Sequence, residues 1–383
     1  MKKVLFLMTA DPLGIGGGEF ATRSHLKAIC DITNGNVDIL ITDDWKRDYK
    51  NFFNIKKIYS VPPRTRWQVI SQYFRLIIDR FAKRAIQIAS DNFNDYSCVI
   101  VNGSIMAGSI APRLKKMGLP VISIYHNYEP EYYRDNFKGL KKMLFLPAVK
   151  VLERRAYLNS SRNLFLSSQD MNHFASIYGK NNGYNTVLGV YEYNEKKLSI
   201  SNNIFQKESL TFVITGSLNF EQGVDGILFF FMDLYKYLPL NSRVIISGRN
   251  PTQAVRSICS QYANVELVPN PKDINEIISK GDVYVCPTRL GGGVKLRVMD
   301  GLRLGLPVIT HTCSARGYDL FWNNPSFKVF STGLEFKDAV QSIVSLFNHG
   351  GLDKESVVSE YKKVFSYNAG MNRMKDAINE LIK

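Results

Sequence analysis

The sequence predicts an α/β protein of two successive doubly wound units. Three observations carry that expectation. Short apolar, β-branched segments alternate with longer segments of helical periodicity, the signature of a parallel sheet covered by helices. The alternation breaks in one polar, aperiodic stretch, "EYNEKKLSISNNIFQKES", from Glu192 to Ser209. It then restarts and continues towards the C-terminus. With 383 residues, 45% hydrophobic and 22% charged, the chain is long enough for two cores of globular composition.

In the first unit, residues 1–190, the strands are "VLFLMT", "VDILIT", "KKIYSV", "SCVIVN", "PVISIY" and "NLFLSS". Helical spacing covers Glu19 to Cys30, Trp67 to Ser90, Ile105 to Met117, Leu140 to Leu158 and Gln169 to Tyr178. Residues 191–209 read as a linker. The second unit, 210–365, contains the strands "LTFVITG", "SRVIISG", "NVELVP", "GDVYVCP" and "LPVITH". Two such units are expected to face each other across a cleft at the carboxyl ends of their strands, where open parallel sheets take ligands.

Composition narrows the function classes. The five cysteines are scattered with no Cys-x-x-Cys pair, which argues against structural zinc and a disulfide framework and suits a reducing cytoplasm. "MKKVLFLMTA" passes straight into "DPLGIGGGEF" with no small-residue cleavage site, so it reads as a buried strand. The net charge of +15 is uneven: 27 basic against 15 acidic residues over 1–190 gives +12, and 22 against 19 in the remainder gives +3. An excess held in one unit points to an anionic surface or ligand there.

The densest motif is "RLGGGVKLRVMDGLRLGLPVI", Arg289 to Ile309. It follows the strand ending near Pro287 and is expected to be a glycine loop, then a helix from Val294, then a strand. Gly291, Gly292 and Gly293 allow close backbone approach. A helix N-terminus behind such a loop attracts anions, and Lys295 and Arg297 in the first turn would oppose the dipole unless an anion sat between. Asp300, two turns in, can accept hydrogen bonds from hydroxyls. Phosphate plus diol describes a nucleotide; the plain alternative is a βαβ crossover with a solvated basic face. "DPLGIGGGEF" puts a second glycine loop, Gly16 to Gly18, after the first strand, either a tight turn or a ligand-contacting loop. Its spacing is not the dinucleotide fingerprint.

On these residues the chain resembles the retaining glycosyltransferases of the GT-B fold, the group-one type, over nearly its full length. The match is Pro287, Gly291 to Gly293, Lys295, Arg297, Asp300, Gly305, Pro307 and Val308. The resemblance implies two Rossmann-like domains, with donor contacts from Gly216, Ser217, Arg249, Gly291, Gly292, Gly293, Val294, Asp300, Ala315, Arg316 and Gly317. Asp300 stands where the family usually has a ribose-binding Glu, and Gly292 where many members have another Glu. Ser217 and Gln222 occupy positions often held by phosphate-binding Arg and Lys, so Lys295, Arg297 and Arg249 are left to supply charge. "SIYHNYEPEYYRD" resembles the family's His-containing loop, placing His126 near the transferred sugar. Glu129, with Glu131 less so, and Gly16 to Gly18 are acceptor-side candidates; a solvated acidic turn is the alternative for the two glutamates. Residues 366–383 resemble the family's last helix, which crosses back to the first domain.

The implied reaction moves a sugar from a nucleotide-diphosphate donor to an acceptor hydroxyl with retention, catalysed with His126, Lys295 and Arg297, in surface polysaccharide or glycolipid assembly. No Asp-x-Asp metal motif is present, and neither metal nor cofactor is expected. Expected partners are the nucleotide sugar, a carbohydrate or lipid-linked acceptor, and an anionic membrane surface, but not nucleic acid. The membrane expectation comes from "RTRWQVISQYFRLIIDRFAKRAIQI", whose Trp67, Ile70, Phe74, Ile77, Ile78, Phe81, Ala85 and Ile88 share a helical face beside five basic residues, and from "KGLKKMLFLPAVKVLERR". The expected location is the cytoplasm, peripheral at the inner membrane face. Two other classes remain open: a nucleotide-sugar epimerase of the same fold, and a basic nucleic-acid-binding protein.

Overall fold

The computed structural model describes residues 2–14, 16–45, 47–63, 65–68, 70, 80–137, 139–181, 183–194, 209–349 and 354–382. The chain divides into two compact units, residues 1–195 with 366–383, and residues 196–365. Most of the expected linker and much of the first basic amphipathic segment, including Phe74, Arg75, Ile77 and Ile78, lie outside the described residues.

In the first unit β1 (Lys3–Met8), β2 (Val37–Thr42), β3 (Lys57–Val61), β4 (Tyr96–Asn102), β5 (Val121–Tyr125), β6 (Arg162–Phe165) and β7 (Tyr184–Val187) form one sheet, ordered β3-β2-β1-β4-β5-β6-β7. All its pairs are parallel. Strands buried on both faces need continuous apolar runs, and "VLFL" of β1 is fully buried. The helices are α1 (Gly17–Ile32), α2 (Arg80–Asp91), α3 (Ser104–Lys116), α4 (Glu129–Asn136), α5 (Gly139–Asn159) and α6 (Ser168–Tyr178). Gly108 lets α3 lie directly on α5, because a Cβ there would strike the Leu152 carbonyl.

The second unit contains β8 (Thr211–Ser217), β9 (Arg243–Arg249), β10 (Val265–Pro269), β11 (Val283–Cys286), β12 (Val308–His311) and β13 (Phe327–Phe330), ordered β10-β9-β8-β11-β12-β13 and again parallel. Its helices are α7 (Glu221–Phe229), α8 (Gln253–Cys259), α9 (Ile274–Ser279), α10 (Arg297–Arg303), α11 (Gly333–Asn348) and α12 (Lys354–Phe365). The last helix, α13 (Tyr367–Ile378), belongs to the first unit. Arg373 of α13 donates to the Leu188 carbonyl at 2.7 Å, and Gly370 lies against the Tyr191 ring.

Each sheet reverses its strand order once, between β1 and β4 and between β8 and β11. The loops leaving the carboxyl ends of those strands diverge to opposite sides, and the crevice between them is the ligand position of a doubly wound sheet. In the second unit the parting is visible in the register: β11 pairs with β8 only at Phe212 and Val213, while β8 runs on to Ser217.

Four sequence expectations are corrected. The helix expected from Val294 starts at Arg297 and has seven residues. Lys295 therefore precedes it, and Asp300 lies in its first turn rather than two turns in. "EPEYYRDN", read as a loop or acidic turn, is α4, with a proline in its first turn where a missing N–H costs nothing. Finally, the edge strands β7 and β13 were absent from the strand reading; each has only four residues.

Candidate functional site

The crevice between β8 and β11 collects most of the expected donor residues. Gly216 and Ser217 end β8, Arg249 ends β9, the glycine loop follows β11, and Ala315 to Gly317 follow β12. The Arg297 side chain reaches across the parted strands. Its Nη1 donates to Thr288 Oγ1 at 3.1 Å and would lie 2.5 Å from a Cβ at Gly216, so only glycine admits it there. Arg249 is exposed at the neighbouring strand end.

The glycine loop is held from beneath. Lys295 is buried, and its Nζ donates to the carbonyls of Gly291 at 2.9 Å and Gly292 at 2.8 Å. Burial, with Arg297 and Arg316 nearby, pushes its ammonium below the usual lysine range, while the Cys313 and Cys286 thiols oppose that shift. Tyr318 Oη donates to the Lys295 carbonyl at 3.0 Å, and Ser314 Oγ to the Thr288 carbonyl at 2.7 Å. The loop after β12 is thus tied to the loop after β11. Gly291 has φ of +83° and Gln222 packs against its Cα, so a side chain there would meet both strain and a clash. Lys295 faces the loop backbone; Arg297 is a half-buried cation of the crevice, as is Arg316 on the neighbouring loop. Asp300 Oδ1 accepts from Arg303 Nη2 at 2.9 Å, and Arg303 also reaches Asn275 Oδ1. Arg289, the other arginine of the motif, is engaged bidentately by Asp225 at 2.9 and 3.0 Å and lies over the Phe229 ring.

At the carboxyl edge of the first sheet, His126 follows β5 and is half-buried. Its Nε2 lies 2.9 Å from Asn102 Oδ1, and His25 Nδ1 lies 3.0 Å from the same oxygen. Burial lowers the pKa of His126 to about 4; burial, reinforced by His126, lowers that of His25 to about 3. Gly16 caps α1, and the Glu19 carboxylate folds back over it, so the positive end of α1 already faces an internal anion. Glu129 opens α4, and its N–H donates to Glu153 Oε1 at 3.0 Å. Glu153, fully buried on α5, also accepts from Ser104 Oγ at 3.0 Å and Tyr178 Oη at 3.4 Å. Burial raises Glu129 to about 7, and burial with Glu129 raises Glu153 well above the carboxylate range. The sequence reading missed His25, Asn102, Glu153 and Thr288. Asn102 did carry a signal, as a polar residue ending the buried run "CVIV" directly before a glycine.

Residues 209–323 match the family described as Glycosyl transferases group 1. That match lies within the second unit. Solved structures place the whole chain on the GT-B fold. Sucrose-phosphate synthase from Thermosynechococcus elongatus is similar over 99% of both chains, with TM-score 0.73 and 12% identity. Anabaena Alr3699/HepE in complex with UDP covers 99% of this chain and 100% of its own, with TM-score 0.69 and 12% identity. The lipopolysaccharide outer core galactosyltransferase WaaB, in its apo form, covers 99% of both, with TM-score 0.68 and 14% identity. No curated protein sequence matches the chain.

The raised Glu129 pKa has a measurable consequence. A carboxyl whose folded pKa exceeds its unfolded value stabilises fully below the unfolded value, and that contribution is lost as pH rises through the folded one. The window here runs from 4.5 to about 7. The melting temperature of Glu129→Gln, relative to the unsubstituted protein, is expected to rise across that window. Thermal melts of both proteins at pH 4.5, 6 and 7.5 check this; a pH-independent difference contradicts the buried-carboxyl assignment.

Proposed function

We propose that this protein transfers a sugar from a nucleoside-diphosphate donor to an acceptor hydroxyl, with retention at the anomeric carbon. The observation that carries the reading is Arg297 in the β8–β11 crevice, beside the glycine loop and with Asp300 on the same short helix. A guanidinium matches a diphosphate, and a carboxylate accepts from more than one donor, so ribose hydroxyls can share Asp300 with Arg303. Gly216, Ser217, Arg249, Gly291 to Val294 and Ala315 to Gly317 complete the donor set. Lys295 acts by holding the loop and lending charge at short range. Charge developing on the leaving diphosphate is met by these groups, and no metal or cofactor enters the reading. The bond from C1 to the leaving phosphate oxygen breaks as the acceptor oxygen bonds C1 on the same face. The acceptor proton passes to that phosphate oxygen. His126 contacts the transferred sugar, and Glu129 lies on the acceptor side.

HepE is described in complexes with UDP and with UDP-glucose, which makes uridine-diphosphate sugars the first donors to test. WaaB is named as a lipopolysaccharide outer core galactosyltransferase, which favours a surface-glycan or glycolipid acceptor. A cytoplasmic location suits the five free cysteines, which a reducing compartment would keep as thiols. Among the described residues no helix is long and apolar enough to cross a membrane. We further place the first unit on an anionic leaflet. Leu140, Met143 and Val151 of α5 are exposed, and Lys150, Arg154 and Arg155 lie exposed on the same helix. Such a pairing suits the headgroup region, with each cation contributing on the order of 1 kcal/mol.

Two outcomes are expected. Asp300→Ala lowers UDP affinity by about 10- to 100-fold, the scale of a hydrogen bond to a charged group, whereas His126→Ala lowers the transfer rate far more than UDP affinity. Calorimetric titration with UDP and a transfer assay with UDP-sugars decide this; unchanged UDP affinity in folded Asp300→Ala contradicts the donor assignment. On the membrane side, the protein co-sediments with phosphatidylglycerol vesicles at low salt, and replacing Lys150, Arg154 and Arg155 by Gln releases it. Full recovery in the supernatant at low salt leaves a soluble acceptor.

A further inference from the structure

Thr22, His25, Asn102 and His126 form one hydrogen-bonded cluster at the switch point of the first sheet. Asn102 ends β4, Thr22 and His25 lie on α1, and His126 follows β5. Elementary donor and acceptor rules fix every proton in it. The Gly18 carbonyl can only accept, so the Thr22 hydroxyl, 2.8 Å away, gives it its single proton. The Asn102 atom 2.7 Å from Thr22 Oγ1 must therefore donate, and is the amide nitrogen. The other side of the carboxamide is then Oδ1, an acceptor only. It meets His25 Nδ1 at 3.0 Å and His126 Nε2 at 2.9 Å, so both ring nitrogens carry hydrogen. His25 is held in the Nδ1–H form, the minority tautomer of free imidazole. His126 is held in the Nε2–H form, which leaves its Nδ1 as an acceptor.

We propose that Asn102 is a positioning residue for sugar transfer, orienting His126 so that its Nδ1 accepts a hydrogen bond from a hydroxyl of the bound sugar. The proposal rests on the reading of His126 as a sugar-contacting residue. His25 is part of the device. It supplies the second proton on Oδ1, and a flipped carboxamide would set its oxygen against Thr22 Oγ1, whose only proton is given to the Gly18 carbonyl. The tilted ring of Tyr191, 5.7 Å from that of His25, packs the inner side. His25 is also the titratable group that faces His126, their centroids 5.7 Å apart. Burial keeps both rings neutral, so no proton occupies Nδ1 of His126 at neutral pH. Thr22 anchors the cluster to the first turn of α1 through the Gly18 carbonyl, so the start of α1 and the imidazole after β5 meet on one carboxamide.

The test is imidazole ¹⁵N–¹H correlation spectroscopy on the full chain labelled at histidine, read beside steady-state transfer kinetics with UDP-sugars. His25→Gln and His126→Ala assign the two rings. The unsubstituted protein is expected to show His25 as Nδ1–H and His126 as Nε2–H, both neutral at pH 7. In Asn102→Leu, His25 reverts to Nε2–H, and kcat falls by about 10- to 100-fold while KM for the nucleotide sugar stays within about threefold. Asn102→Asp, matched in shape, guards against misfolding of the leucine variant. Its carboxylate makes His126 an imidazolium at pH 7, and kcat falls again. An Nε2–H His25 in the unsubstituted protein, or full kcat in either variant, overturns the proposal. Full transfer by His126→Ala, with the tautomers as assigned, would instead remove the sugar-contacting role and the proposal with it. An inactive His126→Ala beside a fully active Asn102→Leu removes the positioning role alone.

Discussion

A buried ammonium on two carbonyls holds the donor-side geometry together. Lys295 has given up water, which costs free energy unless its protons are used, and it uses them on Gly291 and Gly292. That contact draws a loop with left-handed glycines at Gly291 and Gly293 into one shape. Around it Tyr318, Ser314 and Cys313 bind the next loop to the same backbone, Cys313 Sγ at 3.2 Å from the Gly291 carbonyl. The crevice is thus built before a ligand arrives, and catalysis by charge stabilisation depends on such preorganisation.

The two units apply one topological rule to different chemistry. At the switch point of the second sheet the strands part, and a guanidinium occupies the gap. At that of the first sheet the gap holds a neutral cluster of amide, hydroxyl and two imidazoles. Cations suit a diphosphate. Neutral, oriented acceptors suit sugar hydroxyls, which a nearby charge would hold less selectively. Glu129 opens α4 against Glu153, and burial raises both pKa values, which keeps the charge low at that helix start.

The parallel sheets were legible because strands buried on both faces must be continuously apolar, as "VLFL" and "CVIV" are. The glycine loop and its neighbours were legible because few residue types tolerate their backbone. Boundaries were less so. The helix at Arg297 begins late because Lys295 and Leu296 lie in the turn that the buried ammonium anchors, a tertiary constraint invisible to periodicity. α4 hid behind its proline and aromatic residues, and β7 and β13 are too short to outweigh their flanks. The role of Lys295 differed most: its spacing suggested a phosphate contact, and only burial reveals a cation turned towards its own loop. Asn102 and His25 lie 77 residues apart in sequence, so their shared hydrogen bond had no local signature.

Hydrogen–deuterium exchange with and without saturating UDP, with other nucleoside diphosphates as parallel arms, tests whether a nucleoside diphosphate is held in the crevice between β8 and β11. Amide exchange is expected to slow in residues 287–297 and 312–318 and to stay unchanged in α11. Unaltered exchange in both loops under every nucleotide, or protection confined to another part of the second unit, would contradict it.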